Sequence, residues 1–293
     1  MRFCLLLGKI THTMNIFNDQ LIKDALKEDN FGKDVTTRLF IPATERAKAV
    51  ILAKGDGIVC GLEIVRKVYG LMDKRCKINI KSKDGRRVRK GMVVAEISGP
   101  ARSILSAERT AINFLQHLSG IATLTDKFVQ KTKNTKTKIL DTRKTIPGLR
   151  VLEKYAVRCG GGTNHRMTLG EMALIKDNHL KIMSEWGPEM IQEAKINNKN
   201  LMIEVECENM AQVKKFAGSG ADIIMLDNMG NKKLKEAIKY IRKQNRRIQI
   251  EISGGVTLEN TANLAKLGVE RISVGALTHS APAMDFSMEL VRQ

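Results

Sequence analysis

The chain has 293 residues and a net charge of +19, with 50 Lys and Arg against 31 Asp and Glu; 43% of its side chains are hydrophobic and only 4% aromatic. That length and apolar content suit one large or two modest cored domains and exclude a disordered chain; no apolar run reaches the ~18 residues a membrane span requires. Five scattered cysteines without a C-x-x-C pair exclude a disulfide framework or zinc knuckle and point to reduced thiols in a cytoplasmic protein.

The opening Arg2-Phe3-Cys4-Leu5-Leu6-Leu7 looks faintly like a secretion signal, but its apolar stretch is short and no small-residue cleavage site follows, so residues 1–14 are expected to be a tail. Met14 opens an amphipathic pattern, and Leu21, Ile22, Ala25 and Leu26 predict a helix over 18–29. Strands are predicted at 47–53 and 57–61 around the Lys54-Gly55-Asp56 turn, and at 78–80 and 92–97 near the Asp84-Gly85 and Lys90-Gly91 turns. With a helix at 62–72 they suggest a small antiparallel sheet carrying a helix. A long helix follows from Ala107 to about Lys131, its apolar side formed by Ala111, Phe114, Leu115, Leu118, Ile121 and Leu124.

Beyond it, aliphatic strands alternate with helices. Strands are expected at 138–141, 172–176, 201–206, 222–227, 248–253 and 271–275, with helices at 210–217, 232–242 and 258–267. Aliphatic runs between helices mark parallel strands buried on both faces. Each strand ends in a residue suited to chemistry: Asp141, Lys176, Glu206, Asp227, Ser253-Gly254-Gly255 and Gly275. A (β/α) barrel gathers such ends at one mouth, whereas an open sheet spreads them along an edge, so the barrel is the favoured reading.

Several of these junctions are cationic. Thr142-Arg143-Lys144 follows a strand directly, Gly160-Gly161-Gly162 leads to His165-Arg166, and Lys176 ends an apolar strand. Arginine grips carboxylate or phosphate through a fork and lysine acts as a point charge, so together they predict a shared anion pocket. The loops Ser253-Gly254-Gly255 and Val274-Gly275-Ala276 sit where such barrels hold a phosphate, and Thr257-Leu258-Glu259 is read as opening a helix beside them. Glu206 and Asp227 bring carboxylates to the same mouth, suited either to a divalent metal and sugar hydroxyls or to ion pairs with Arg143 and Lys176. Neither a Ser/His/Asp arrangement nor H-E-x-x-H, G-x-G-x-x-G or a P-loop is present, which favours charge stabilisation over covalent catalysis. The charge alone admits a nucleic-acid partner. Sparse aromatics and evenly spread lysines argue against one and fit a solvated surface.

The stretches 108–123, 141–145, 153–157, 160–166 and 174–179, with Glu204-Val205-Glu206, Leu226-Asp227-Asn228, Ser253-Gly254-Gly255 and Ser273-Val274-Gly275, closely resemble the quinolinate phosphoribosyltransferase family. The resemblance runs from about residue 15 through nearly the whole chain. It implies an α/β fold with an N-terminal α/β sandwich domain over 15–115, rejoined by 277–293. An incomplete barrel of the type II phosphoribosyltransferase kind would occupy 116–276. The implied reaction joins quinolinate to phosphoribosyl pyrophosphate with Mg2+, giving nicotinate mononucleotide, pyrophosphate and CO2 in NAD biosynthesis. By the same motifs Arg143, His165, Arg166 and Lys176 hold the quinolinate carboxylates, Lys144 lies near pyrophosphate or quinolinate, and Glu206 and Asp227 meet the ribose or the metal. Thr142 belongs to the same substrate-binding set, and the loops Ser253, Gly254, Gly255 and Val274, Gly275, Ala276 take the 5′-phosphate. Lys144, Lys176, Glu206 and Asp227 form the catalytic set. The family implies a homodimer or larger assembly with Arg109 entering from a neighbouring subunit, and no nucleic-acid or membrane partner. Departures are small: Ile146 stands where the family commonly has threonine, and Glu171 where it often has aspartate.

Overall fold

The computed structural model describes residues 16–29, 31–182 and 187–291. They fall into two compact units. One gathers the chain up to Leu124, Val151–Gly160 and the segment from Ala281; the other gathers Thr125–Arg150 and Gly161–Ser280. The boundary expected at 115/116 thus moves to 124/125. The 151–160 segment joins the first unit rather than the barrel, and the chain's return begins at Ala281 rather than 277. The expected tail and the helix start at Met14 lie outside the described residues.

In the first unit α1 (Asp19–Glu28) is capped by the Asn18 side chain, which accepts from the Gln20 N–H, and α2 (Val35–Phe40) by Asp34, which accepts from the Thr37 N–H. Each cap satisfies an amide that the helix cannot, so each helix starts where the sequence supplies a short oxygen-bearing side chain. The chain continues through β1 (Arg46–Ala53), β2 (Gly57–Ile58), α3 (Leu62–Met72), β3 (Lys77–Ile80), β4 (Arg87–Val88), β5 (Val93–Pro100) and α4 (Ala101–Thr132). An antiparallel sheet forms in the order C-terminal strand Phe286–Val291, β1, β5, β3, and β2 pairs with β4 separately. The C-terminal strand and β4 were not separated from loops in the sequence, because neither has the aliphatic run that marks a buried strand.

The 108–123 motif lies on α4 and does structural work there. Ser119 Oγ accepts from the Cys60 N–H (2.9 Å) and donates to the Cys60 carbonyl (3.1 Å), while Thr123 Oγ1 accepts from the Ile58 N–H (2.9 Å). The Gln116 carbonyl accepts from the Met284 N–H. Such close approach needs a residue without a side chain: a Cβ at Gly120 would lie 2.2 Å from the Pro282 carbonyl oxygen. The 153–157 motif, on α5 (Arg150–Cys159), is equally internal. Glu153 and Lys154 are fully buried, with Glu153 Oε1 2.9 Å from His117 Nε2, and the Tyr155 hydroxyl donates to Asp84. Asp84 in turn accepts from the Gly61 and Leu62 N–H groups at the start of α3. The four cysteines among the described residues, Cys60, Cys76, Cys159 and Cys207, are free thiols, and no described helix is long and apolar enough to cross a membrane.

The second unit holds six parallel strands: β6 (Lys138–Leu140), β7 (Ala173–Ile175), β8 (Ile203–Cys207), β9 (Ile223–Asp227), β10 (Gln249–Ser253) and β11 (Arg271–Ser273). Their spatial order is β6-β11-β10-β9-β8-β7. The first strand therefore pairs with the last, as in a closed ring, and only the β6–β7 seam lacks a ladder. Thr163 bridges to Leu140 at that seam. The result is an incomplete barrel of fewer than eight strands. All five residues of β8 are buried, which is why these strands read as aliphatic runs instead of alternating ones. Helices α6 (Asp177–Ile182), α7 (Pro188–Asn197), α8 (Met210–Phe216), α9 (Asn231–Gln244) and α10 (Thr261–Ala265) lie between successive strands from β7 on, and α11 (Ala276–His279) follows β11. The helix expected over 258–267 shortens to five residues. The Thr257 and Asn260 side chains bond each other's backbone amides and so hold a turn in place of its first helical residues.

A Gly120→Ala substitution should force α4 from the 282–284 segment and destabilise the protein by about 1–3 kcal/mol, the usual range for overpacking. Urea denaturation checks this; a midpoint unchanged from wild type would contradict the close approach.

Candidate active site

At the C-terminal ends of the barrel strands a cavity of about 720 Å3 opens to solvent. From the β6 loop it is lined by Thr142, Arg143 and Lys144, and from the glycine-rich loop by His165 and Arg166. Lys176 follows β7, Glu206 is on β8 and Asp227 on β9. Ser253, Gly254 and Gly255 follow β10, and Val274, Gly275 and Ala276 follow β11. Of the residues expected at the site, Arg109 and Asp141 are not among the lining; Arg109 is exposed on α4 in the first unit. Asn228, Leu174, Met225, Val256 and His279 line the cavity without having been expected there, and so does Thr257, which was expected only to open a helix beside it. Asn228 was quoted only as part of a motif, and the others carry no chemistry that their sequence setting reveals.

Each cation is held by the loop that bears it. The Thr142 hydroxyl accepts from the Lys144 N–H (3.0 Å), and the Lys144 carbonyl accepts from the Thr278 hydroxyl (2.7 Å), which ties the β6 loop to α11. Arg166 donates one guanidinium N–H to the Met172 carbonyl (2.8 Å) and lines the cavity. Burial and the neighbouring Arg143 charge together lower the pKa of Arg166. Arg143 Nε is buried and has no hydrogen-bond partner. Two guanidinium groups repelling one another, one with an unmet donor, form a site that an incoming anion relieves.

The carboxylates are placed differently. Lys176 Nζ donates to Glu206 Oε2 (3.1 Å), so the ion pair foreseen as one alternative for Glu206 is present. Asp227 Oδ2 accepts from the Asn228 side-chain amide (2.7 Å). Asp141, expected at the mouth, is wholly buried beneath it. Its Oδ1 accepts from the His165 N–H (2.9 Å) and its Oδ2 from the Asn164 amide, fastening the 163–165 loop to β6.

Two glycine loops close the far wall. Gly254 has φ +82 and Gly255 φ +60, conformations that L side chains rarely adopt. Asn228 itself stands at φ +53, tolerable for asparagine, and its N–H donates to the Ser253 carbonyl. A Cβ on Gly254 would lie 2.2 Å from Asn228 Oδ1, and one on Gly275 3.0 Å from His279 Nε2. Main chain thus lines this wall, open to a ligand's oxygens. The shortened α10 starts at Thr261, so the Thr257-Leu258-Glu259 segment contributes a turn to this wall and no helix terminus.

Fold and site together define a barrel enzyme built to bind polyanions. The chain matches the family description "Quinolinate phosphoribosyl transferase, N-terminal domain" over residues 34–119 and "Quinolinate phosphoribosyl transferase, C-terminal domain" over 121–289. It is 41% identical over 280 residues to a probable nicotinate-nucleotide pyrophosphorylase (carboxylating) of Methanocaldococcus jannaschii, covering 93% of this chain and 97% of that protein. Among solved structures it is similar to NadC from Streptococcus pyogenes, with a TM-score of 0.86 at 40% identity over 93% of this chain and 96% of that one. The nicotinate-nucleotide pyrophosphorylase of Ehrlichia chaffeensis gives 0.88 at 36% identity, over 95% and 100%. The chain belongs to the quinolinate phosphoribosyltransferase family.

Gly254→Ala should destabilise more than Gly255→Ala, because a Cβ at 254 meets Asn228 while one at 255 meets nothing within 4 Å. Backbone strain alone is expected to cost each variant about 1–3 kcal/mol, and urea titrations of the pair separate the added clash. Equal losses would contradict the packing of Gly254 on Asn228.

Proposed function

We propose that the enzyme transfers the phosphoribosyl group of phosphoribosyl pyrophosphate to quinolinate, releasing pyrophosphate and CO2 and leaving nicotinate mononucleotide, a step of NAD biosynthesis. The observation that carries this reading is the convergence of Arg143, Arg166 and Lys176 on one cavity, with Arg143 Nε unpartnered. A pyridine dicarboxylate supplies two negative groups to such a clamp. Both substrates are polyanions whose mutual repulsion fixed cations must offset.

Breaking the bond between ribose C1′ and the pyrophosphate oxygen leaves positive charge on the ribose, which Glu206 and Asp227 are placed to stabilise. Lys144 faces the departing pyrophosphate, and the Ser253–Gly255 and Val274–Ala276 loops receive the 5′-phosphate. The quinolinate ring nitrogen forms the new bond to C1′. No protein nucleophile is needed. The nitrogen, now positive, stabilises the electron pair left on the adjacent ring carbon when its carboxylate departs as CO2, and a proton takes up that pair.

The donor set fits Mg2+. Glu206 and Asp227 present hard carboxylate oxygens on adjacent strand ends of an otherwise cationic cavity, and Mg2+ ordinarily takes one or two carboxylates and completes its shell with water and substrate oxygens. When bound it would neutralise charge on the pyrophosphate. Glu206 would exchange its Lys176 partner in doing so, which frees Lys176 for the substrate.

Arg109, exposed on α4, is read as the cation that one copy of the chain lends to the cavity of another, in a homodimer or larger assembly of a cytoplasmic enzyme. No nucleic-acid or membrane partner is invoked.

The purified protein with Mg2+ and phosphoribosyl pyrophosphate should release CO2 and nicotinate mononucleotide from quinolinate and leave nicotinate unreacted; turnover of nicotinate alone would overturn the assignment. Arg143→Ala and Lys176→Ala should each lower kcat/KM at least ~100-fold, consistent with loss of charged contacts worth about 3 kcal/mol, while circular dichroism shows the protein still folded. Mixing Arg109→Ala with Lys176→Ala protein should restore part of the activity through hybrid assemblies. No rescue after confirmed subunit exchange would remove Arg109 from the site.

A further inference from the structure

Beneath the cationic mouth lies a buried polar cluster that the proposed reaction does not use. Glu204 on β8 and Glu251 on β10 are both fully buried, and both face the His165 ring. Nε2 lies 3.2 Å from Glu204 Oε2 and 3.4 Å from Glu251 Oε1. Glu251 is braced from β11, its Oε2 accepting from Arg271 Nε (2.5 Å) and its Oε1 from the Ser273 hydroxyl (2.5 Å). The His165 side chain is only 5% exposed.

The other edge of the ring decides the arrangement. The Arg166 backbone N–H points at His165 Nδ1 from 2.8 Å. A backbone N–H can only donate, so Nδ1 must offer a lone pair, and the ring proton belongs on Nε2, facing the two carboxylates. The neighbours agree with that placement. Burial raises the Glu204 pKa, and the Glu251 charge raises it further; for Glu251, His165, Arg271 and Ser273 outweigh burial and hold it ionised. Burial opposes charge on His165, and the nearby Glu204 and Glu251 carboxylates more than offset it, raising the ring's pKa to about 9 and favouring a second proton. That proton would have to sit on Nδ1, which the Arg166 N–H already occupies, so the geometry keeps the ring singly protonated, and Asp141 bonds the His165 N–H instead of the ring.

We propose that Glu204 and Glu251 are positioning residues: they lock His165 as the Nε2–H tautomer with Nδ1 turned to the Arg166 peptide, and so fix the direction in which Arg166 meets a substrate carboxylate. The chain of contacts is short. Arg271 and Ser273 hold Glu251, the carboxylate pair holds His165, His165 holds the Arg166 amide, and Arg166 faces the cavity. The inference rests on the reading of Arg166 as part of the dicarboxylate clamp. It assigns to acceptor binding two carboxylates that touch neither the cavity nor any substrate.

Two experiments test it. In ligand-free wild-type protein labelled with 15N-histidine, the His165 ring, assigned by its loss in His165→Gln, should show a protonated Nε2 and an unprotonated Nδ1. A proton on Nδ1 overturns the proposal, and this readout is independent of the acceptor's identity. In steady-state kinetics, Glu204→Gln, which keeps an acceptor for Nε2–H, should stay within about threefold of wild type. Glu204→Met, which removes the acceptor at similar volume, should raise KM for quinolinate about tenfold with KM for phosphoribosyl pyrophosphate within about twofold. Wild-type kinetics in the Met variant, or equal rises in both KM values, overturn the proposal. Should that variant not fold, Ser273→Ala is measured in its place and should raise the quinolinate KM selectively, an unchanged ratio of the two KM values counting against the proposal. If wild-type protein does not turn over quinolinate, the proposed reaction falls while the tautomer result stands.

Discussion

The repulsion between Arg143 and Arg166 is the constraint on which this site depends. Cationic groups are brought to one cavity without an anion to separate them, and one of them keeps a buried N–H without a partner. An apolar core would not tolerate that arrangement. It persists because the barrel gathers the charges from separate strand ends, so each is anchored by its own loop: Lys144 through Thr142 and Thr278, Arg166 through Met172 and His165.

Negative charge in the same unit is divided between two levels. At the cavity, Glu206 and Asp227 remain in reach of ligands and are only lightly engaged, by Lys176 and Asn228. Below it, Asp141, Glu204 and Glu251 are fully buried and act on the loops instead of the ligand. The upper pair lines the cavity, and the lower three lie beneath the loops that carry the cations. Burying three carboxylates is costly unless hydrogen bonds meet them. Here Asn164 and the His165 amide meet Asp141, and Arg271 and Ser273 meet Glu251, while neither Glu204 oxygen has a hydrogen-bond partner among the described residues and Glu204 rests on its 3.2 Å approach to His165 Nε2.

The first unit shows the same division between motif and chemistry. The long 108–123 motif and the 153–157 motif carry charged and polar residues, yet Ser119, Thr123, Gly120, Glu153 and Lys154 are spent on internal packing. In that stretch Arg109 and Asn113 alone stand exposed. A motif can be tightly specified because helix and strand must pass at backbone distance, as at Gly120, without any of it facing a ligand.

The sequence by itself determined the strand–helix alternation, the cationic junctions and the loops that form the cavity wall. Parallel strands buried on both faces leave aliphatic runs, and residues at their ends are set by position alone. Periodicity also placed α1, α3 and most of α4 and α9. Tertiary structure decided the rest. Closure of the ring by β6 against β11 pairs segments some 130 residues apart, which no local pattern encodes. The assignment of Val151–Gly160 to the first unit depends on what Glu153 and Tyr155 touch, and the collapse of the 258–267 helix depends on two side chains outbidding its backbone. Glu204 and Glu251 looked like ordinary strand residues. Their role beneath His165 follows only from strands β8 and β10 turning both carboxylates inward onto one imidazole, a convergence that exists in space and nowhere along the chain.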